Sequence, residues 1–87
     1  MIILRFKVAI VGGAGYVGSS LARYFVEDFD VKVLDRAPLL EDLEGKVDYA
    51  RCDVREFEEV VAGIDDVDLV INTAIIQIPL INEQKRF

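Results

Sequence analysis

The chain has 87 residues, 53% of them hydrophobic, and a formal net charge of -6. That length holds one small domain with a modest core, and an acidic balance without a basic cluster argues against nucleic acid or an anionic membrane surface as a partner. With one cysteine, Cys52, and no histidine, an internal disulfide is excluded and a zinc site lacks its usual ligands.

No apolar run approaches the roughly 18 residues of a membrane span, and Met1 to Lys7 is too short and too charged for a signal peptide. A cytoplasmic location is therefore expected. Arg5 to Val11 predicts a strand, since Phe6, Val8, Ile10 and Val11 are aromatic or mostly β-branched. Gly12 to Ala14 is the turn after it. Gly15 to about Asp28 predicts a helix, with Val17, Leu21, Ala22, Phe25 and Phe29 on one apolar stripe. Gly18 falls inside that helix, where glycine costs about 1 kcal/mol against alanine; close helix-to-strand contact is the expected reason.

Val31 to Asp35 predicts a second strand. Pro38 to Leu43 reads as a short helical turn, with Gly45 just past its end and Leu39, Leu40 and Leu43 on one face. Val47 to Cys52 is a third strand. Val54 to about Gly63 is a second helix, with Phe57, Val60, Val61 and Ile64 facing inward and Glu56, Glu58 and Glu59 solvated. Val67 to Thr73 is a fourth strand. Strands alternating with helices predict an α/β fold, a parallel sheet in the order 3-2-1-4 with flanking helices. Strands 1 and 4 meet where the order reverses, and ligands bind outside the carboxyl ends of strands at such a point. After Ala74 the pattern changes. Ile75, Ile76, Ile78, Leu80 and Ile81 crowd around Pro79, and 75–87 is read as an apolar tail beginning an incomplete continuation.

The glycines carry the most specific signal. Gly12 permits a tight turn after the first strand, Gly15 lets the backbone approach a pyrophosphate, and Gly18 lets the helix pack closely. The helix N-terminus then offers N–H groups and a partial positive charge to phosphates. Asp35 ends the second strand, 20 residues beyond Gly15, where a carboxylate accepts hydrogen bonds from the adenosine ribose. A carboxylate there disfavours a 2′-phosphate, so NAD is expected over NADP. Arg36 has three readings: pairing with a 2′-phosphate, stacking on adenine, or solvation, of which the last two are favoured. Asp53 either receives the adenine amino group or caps the second helix, with Glu56 three residues on. On physical grounds alone the cap is the better reading. Asn72-Thr73-Ala74 ends the fourth strand in small residues, which leave room for a ligand or simply fill a strand end. Cys52 reads as a small buried residue.

Together these motifs resemble the extended short-chain dehydrogenase/reductase family, in its NAD-dependent nucleotide-sugar epimerase and dehydratase branch. Ile10-Val-Gly-Gly-Ala-Gly-Tyr-Val-Gly18 is similar to that family's glycine signature. Val33-Leu-Asp-Arg36 matches its strand ending in the ribose-binding acid. Cys52-Asp-Val-Arg55 is similar to its adenine-contacting Asp-Val, and Asp68-Leu-Val-Ile-Asn-Thr-Ala74 resembles its fourth strand. The resemblance implies a truncated Rossmann-like sheet, with residues 1–87 a single partial dinucleotide-binding domain. It implies cofactor contacts at Gly12, Gly15, Tyr16, Val17, Gly18, Asp35, Arg36, Asp53, Val54, Thr73 and Ala74, and it raises the standing of Asp53 and Ala74.

The family's catalytic Tyr-x-x-x-Lys pair has no counterpart here. Four residues after Tyr16, Tyr24 and Tyr49 stand Ser20, Asp28 and Asp53. No catalytic residue and no metal ligand is therefore assigned. The expectation is an NAD-binding amino-terminal fragment of an epimerase- or dehydratase-like oxidoreductase, inactive alone. The rival expectation is an interaction or oligomerisation module with a vestigial nucleotide site. It would form a homo-oligomer, or meet a missing carboxy-terminal portion, through the fourth strand and the 75–81 tail. A complete minimal enzyme has no residues to support it.

Overall fold

The computed structural model describes residues 5–74. The expectations for the 75–87 tail lie outside the described residues. Within them the chain runs β1 (Lys7–Val11), α1 (Tyr16–Phe25), β2 (Asp30–Asp35), a 3-10 turn (Glu41–Leu43), β3 (Asp48–Arg51), α2 (Phe57–Gly63) and β4 (Leu69–Asn72). All pairings are parallel and the order is β3-β2-β1-β4, as the alternation of elements implies. Val11 stands beside Leu34 and Asn72, so β1, β2 and β4 reach their carboxyl ends together.

The continuous apolar runs of β1 and β2 place side chains on both faces, as a sheet covered on two sides requires. Val8, Ile10, Val31 and Val33 pack on one face with Leu21, Ala22 and Phe25 of α1 and with Leu43. Ala9, Val11, Leu34 and Cys52 pack on the other, with Val60 of α2 and Ile64 just past its end. Ile10, Leu34, Leu43, Val8 and Val33 are the largest fully buried side chains. Burying each contributes about 1.5–3 kcal/mol.

The element boundaries differ from the expected ones for identifiable reasons. α1 ends at Phe25 and not near Asp28, because the N–H groups of Asp28 and Phe29 both close onto the Phe25 carbonyl. That turn still delivers Phe29 to the core, edge-on to Phe25 at 5.8 Å and to Phe6 at 5.9 Å. Val17 is 59% exposed and leaves the expected stripe, because the first turn of α1 rests on the glycine turn through Gly18. α2 begins at Phe57 and not Val54, so Phe57 and Val61 are exposed while Val60 and Ile64 face the core. The turn near Pro38 forms only from Glu41, with Leu43 buried and Leu40 turned outward; Gly45 follows at φ +82, as its position past the end implies.

Candidate functional site

A cleft of about 390 Å³ opens at the carboxyl ends of the strands. Eight of the sequence-selected residues line it: Gly12, Gly15, Asp35, Arg36, Asp53, Val54, Thr73 and Ala74. Tyr16 and Val17 do not, being 89% and 59% exposed, and Gly18 is buried behind the turn.

The glycine turn forms one wall. Gly12 takes φ +84, which β-carbon-bearing residues avoid, and its N–H donates to the Leu34 carbonyl at 2.7 Å. A β-carbon on Gly18 would collide with the Gly12 carbonyl oxygen and stand 2.8 Å from Thr73 Oγ1. The close contact that Gly18 allows is thus with the turn and the end of β4. Gly15 is different. Its φ of -80 and ψ of 179 suit any residue, and a β-carbon there would meet only the Gly12 carbonyl oxygen, at 3.4 Å. Nothing within the described residues demands glycine at 15, which lines the cleft.

Gly15 is also the N-cap of α1 and offers no side chain to the helix. The first turn holds no acidic residue. The leading N–H groups of a helix have no intrahelical acceptor and carry a partial positive charge. This end of α1 is therefore suited to an anion.

Asp35 ties the glycine turn to the chain just past β2. Its Oδ2 accepts the Ala14 N–H at 2.9 Å and its Oδ1 accepts the Ala37 N–H at 3.0 Å. Each carboxylate oxygen has a further lone pair to offer. Thr73 fastens β4 to the turn: its hydroxyl is shared between the carbonyls of Val11 at 2.8 Å and Gly12 at 3.1 Å.

Asp53 does not cap α2; the N-cap is Glu56, without a side-chain bond. Asp53 Oδ1 instead accepts the N–H of Arg55 at 3.0 Å, a local turn that holds the chain out of helix until Phe57. Glu59, expected to be merely solvated, reaches back to accept the Asp53 N–H at 2.9 Å. Arg55 and Arg36 both approach the Asp53 carboxylate. The Arg55 guanidinium beside it, foremost, holds the Asp53 carboxyl well below the usual carboxylate range. Arg36 is accordingly paired as well as exposed.

Two cleft residues escaped the sequence-derived set. Arg55 is signalled by its position two residues after an aspartate, the spacing of an Asx turn. Cys52 is buried as expected but also lines the cleft. Burial, then the charges of Glu59 and Asp53, push its thiol pKa up, the opposite of the depression that activates a thiolate. Among the described residues no group of His, Cys, Asp or Glu is arranged to hold a metal ion, and no helix is long and apolar enough to cross a membrane.

The sequence and the fold are both similar to those of known proteins. The model of the 3-beta hydroxysteroid dehydrogenase/isomerase family matches residues 9–86. The 3 beta-hydroxysteroid dehydrogenase/Delta 5-->4-isomerase of Monkeypox virus is 32% identical over 72 residues, covering 76% of this chain and 21% of its own. The solved structure of Pen from Bacillus thuringiensis has a TM-score of 0.75 at 24% identity, over 90% of this chain and 26% of that one, a likeness of fold. TunA, an NAD dependent NDP-hexosamine 5,6-dehydratase involved in tunicamycin biosynthesis, is 34% identical with a TM-score of 0.64, over 85% of this chain and 25% of that one. The chain spans about a quarter or less of the length of these proteins. A parallel sheet with the order reversed at β1 and β4, a glycine turn over that point, and a family match across nearly all of the sequence agree: the chain belongs to the 3-beta hydroxysteroid dehydrogenase/isomerase family, among the epimerase- and dehydratase-like short-chain dehydrogenases/reductases.

Proposed function

We propose that this chain holds the ADP-ribose part of NAD, as the cofactor-binding portion of a nucleotide-sugar epimerase- or dehydratase-like oxidoreductase. The observation that carries the reading is Gly15, a glycine that the fold itself does not require, at the uncapped end of α1 and lining the cleft. A pyrophosphate against the Gly12–Gly15 backbone would explain it. Asp35 would accept the ribose hydroxyls with the lone pairs that Ala14 and Ala37 leave free. Asp53 and Val54 would border the adenine. Thr73 and Ala74 would line the path toward the nicotinamide. A 2′-phosphate beside the Asp35 carboxylate would be repelled, which favours NAD over NADP. When bound, NAD supplies a hydride acceptor; the 87 residues hold no Tyr-x-x-x-Lys pair to move the accompanying proton. A nucleotide sugar is proposed as substrate on the likeness to TunA.

Calorimetric titration of the purified chain with NAD, NADP and ADP-ribose tests this. NAD and ADP-ribose should bind with similar affinity and NADP more weakly. An absence of heat with all three at millimolar ligand would overturn the reading.

A second reading, an interaction module with a vestigial nucleotide site, draws on β4. Among the described residues this strand has a neighbour on one side only, and Leu69 and Val70 are 47% and 40% exposed. Unpaired, apolar edges invite pairing with another chain. Nucleotide affinity separates the two readings.

A further inference from the structure

We propose that Asp53 sets cofactor selectivity by holding Arg36 away from the ribose 2′ position; this rests on the reading of the cleft as an NAD site. Two guanidinium groups converge on this one carboxylate. Arg55 takes it in a forked contact, Nε to Oδ1 at 3.0 Å and Nη2 to Oδ2 at 2.8 Å. That partner is local, since the Arg55 N–H also donates to Oδ1. Arg36 comes from the end of a different strand, and its Nη1 stands 3.6 Å from Asp53 Oδ2.

The backbone around Arg36 is fixed. The Tyr49 hydroxyl from β3 lies 3.1 Å from the Asp35 carbonyl oxygen and 2.5 Å from that of Ala37, so it grips the chain on both sides of Arg36. The Ala37 N–H is held by Asp35 Oδ1. The Arg36 side chain itself is 58% exposed, with the Asp53 carboxylate beside it. An exposed guanidinium next to the ribose-side carboxylate is the group that a 2′-phosphate would seek. The Asp53 carboxylate competes for it. Asp35 and Asp53 also balance Arg36 and Arg55 in charge, so these four side chains together offer no net charge to a phosphate monoester of about -1.5 to -2 charges.

Asparagine at 53 removes the charge but retains an Oδ1 to accept the Arg55 N–H, so the turn before α2 is preserved. It frees Arg36 and leaves the cleft one charge more positive. Any effect on the adenine end is common to NAD and NADP and cancels in their ratio.

The experiment measures dissociation constants for NAD and NADP by calorimetry on the unmodified chain, Asp53→Asn, Asp53→Glu, Arg36→Ala and the double variant Asp53→Asn/Arg36→Ala. Thermal melts of each variant check folding. Asp53→Asn is expected to move the ratio toward NADP by about fivefold, the scale of an exposed ion pair acting on a phosphate. Asp53→Glu should restore the original preference. Arg36→Ala alone should change the ratio by less than about twofold, and the double variant should lose the shift. An unchanged ratio in Asp53→Asn overturns the inference, as does a shift that persists in the double variant. Both outcomes are read while the unmodified chain binds NAD. If that chain binds neither dinucleotide, the cofactor reading itself fails, and the inference with it.

Discussion

Gly15 and Gly18 stand one helical turn apart and answer to different constraints. At Gly18 a β-carbon would meet backbone, the Gly12 carbonyl and the Gly13 Cα at 2.7 Å, which cannot swing aside. Alanine there gains about 1 kcal/mol of helix propensity but incurs overpacking of about 1–3 kcal/mol. Because the obstacle is backbone, the upper part of that range applies and Gly18→Ala should lower stability. Gly15→Ala should cost less than about 1 kcal/mol, the size of a weakened helix cap. It should nonetheless weaken NAD binding by about tenfold, ~1.4 kcal/mol, because the added methyl occupies the space toward the phosphates. Chemical denaturation and calorimetry on both variants check this. Equal effects on stability, or no loss of affinity in Gly15→Ala, would contradict it. The sequence pattern marked both glycines, and Gly12 with them. It could not tell which served the fold and which stood open, because that depends on what the turn packs against.

Among the elements, strand order was legible from the alternation of strands and helices, whereas the helix ends, and with them the places of Val17, Phe57 and Val61, were not. α2 starts three residues late because the Asp53 carboxylate bonds the Arg55 N–H, a local contact that leaves no period in the sequence. Similarly, Val17 sits at correct helical spacing, yet its turn rests on glycines and not on the sheet. The amino-terminal edge of the sheet shows another feature that periodicity does not report. Lys7 Nζ donates to Asp48 at 3.0 Å and Asp66 at 3.2 Å, and Lys32 donates to Asp66 at 3.3 Å. Hydrogen bonds from Lys7 first and Lys32 second hold the Asp66 carboxyl below its ordinary 3.8. A carboxyl depressed in the folded state stabilises it at neutral pH. That contribution fades as pH falls from the ordinary value through the folded one. Asp42, bonded by Arg23, and Asp53 act in the same sense. Asp66→Asn should therefore flatten the fall in stability below about pH 4, measured by urea unfolding across a pH series. A curve parallel to that of the unmodified protein would count against the network.

Across the whole molecule, the two ends of the sheet are chemically distinct. The amino-terminal ends of β1 and β2 contribute Lys7 and Lys32 to an ion-pair cluster, while the carboxyl ends of β1, β2 and β4 meet at the cleft. The site is legible in sequence to the extent that its residues follow strand ends. Asp35, Asp53 and Thr73 each stand at or just past one, and a parallel sheet gathers such positions at one rim. Arg55 and the Tyr49 clamp were missed because they act through neighbours. The lateral edge is a separate matter. If β4 recruits another copy of the chain through Leu69 and Val70, sedimentation velocity at high concentration should show a dimer or larger species, and Val70→Lys should shift it toward monomer. A strictly monomeric unmodified chain would contradict that pairing.

The proposed function puts the ADP-ribose part of NAD in the cleft over the reversal of strand order. The most direct measurement is a titration of the 15N-labelled chain with NAD, followed by amide resonances. Progressive, saturable shifts are expected at Gly12, Gly15, Asp35, Asp53 and Thr73, with Lys7 and Asp66 at the far end of the sheet unmoved. Shifts confined to residues outside the cleft, or none at millimolar NAD, would contradict it.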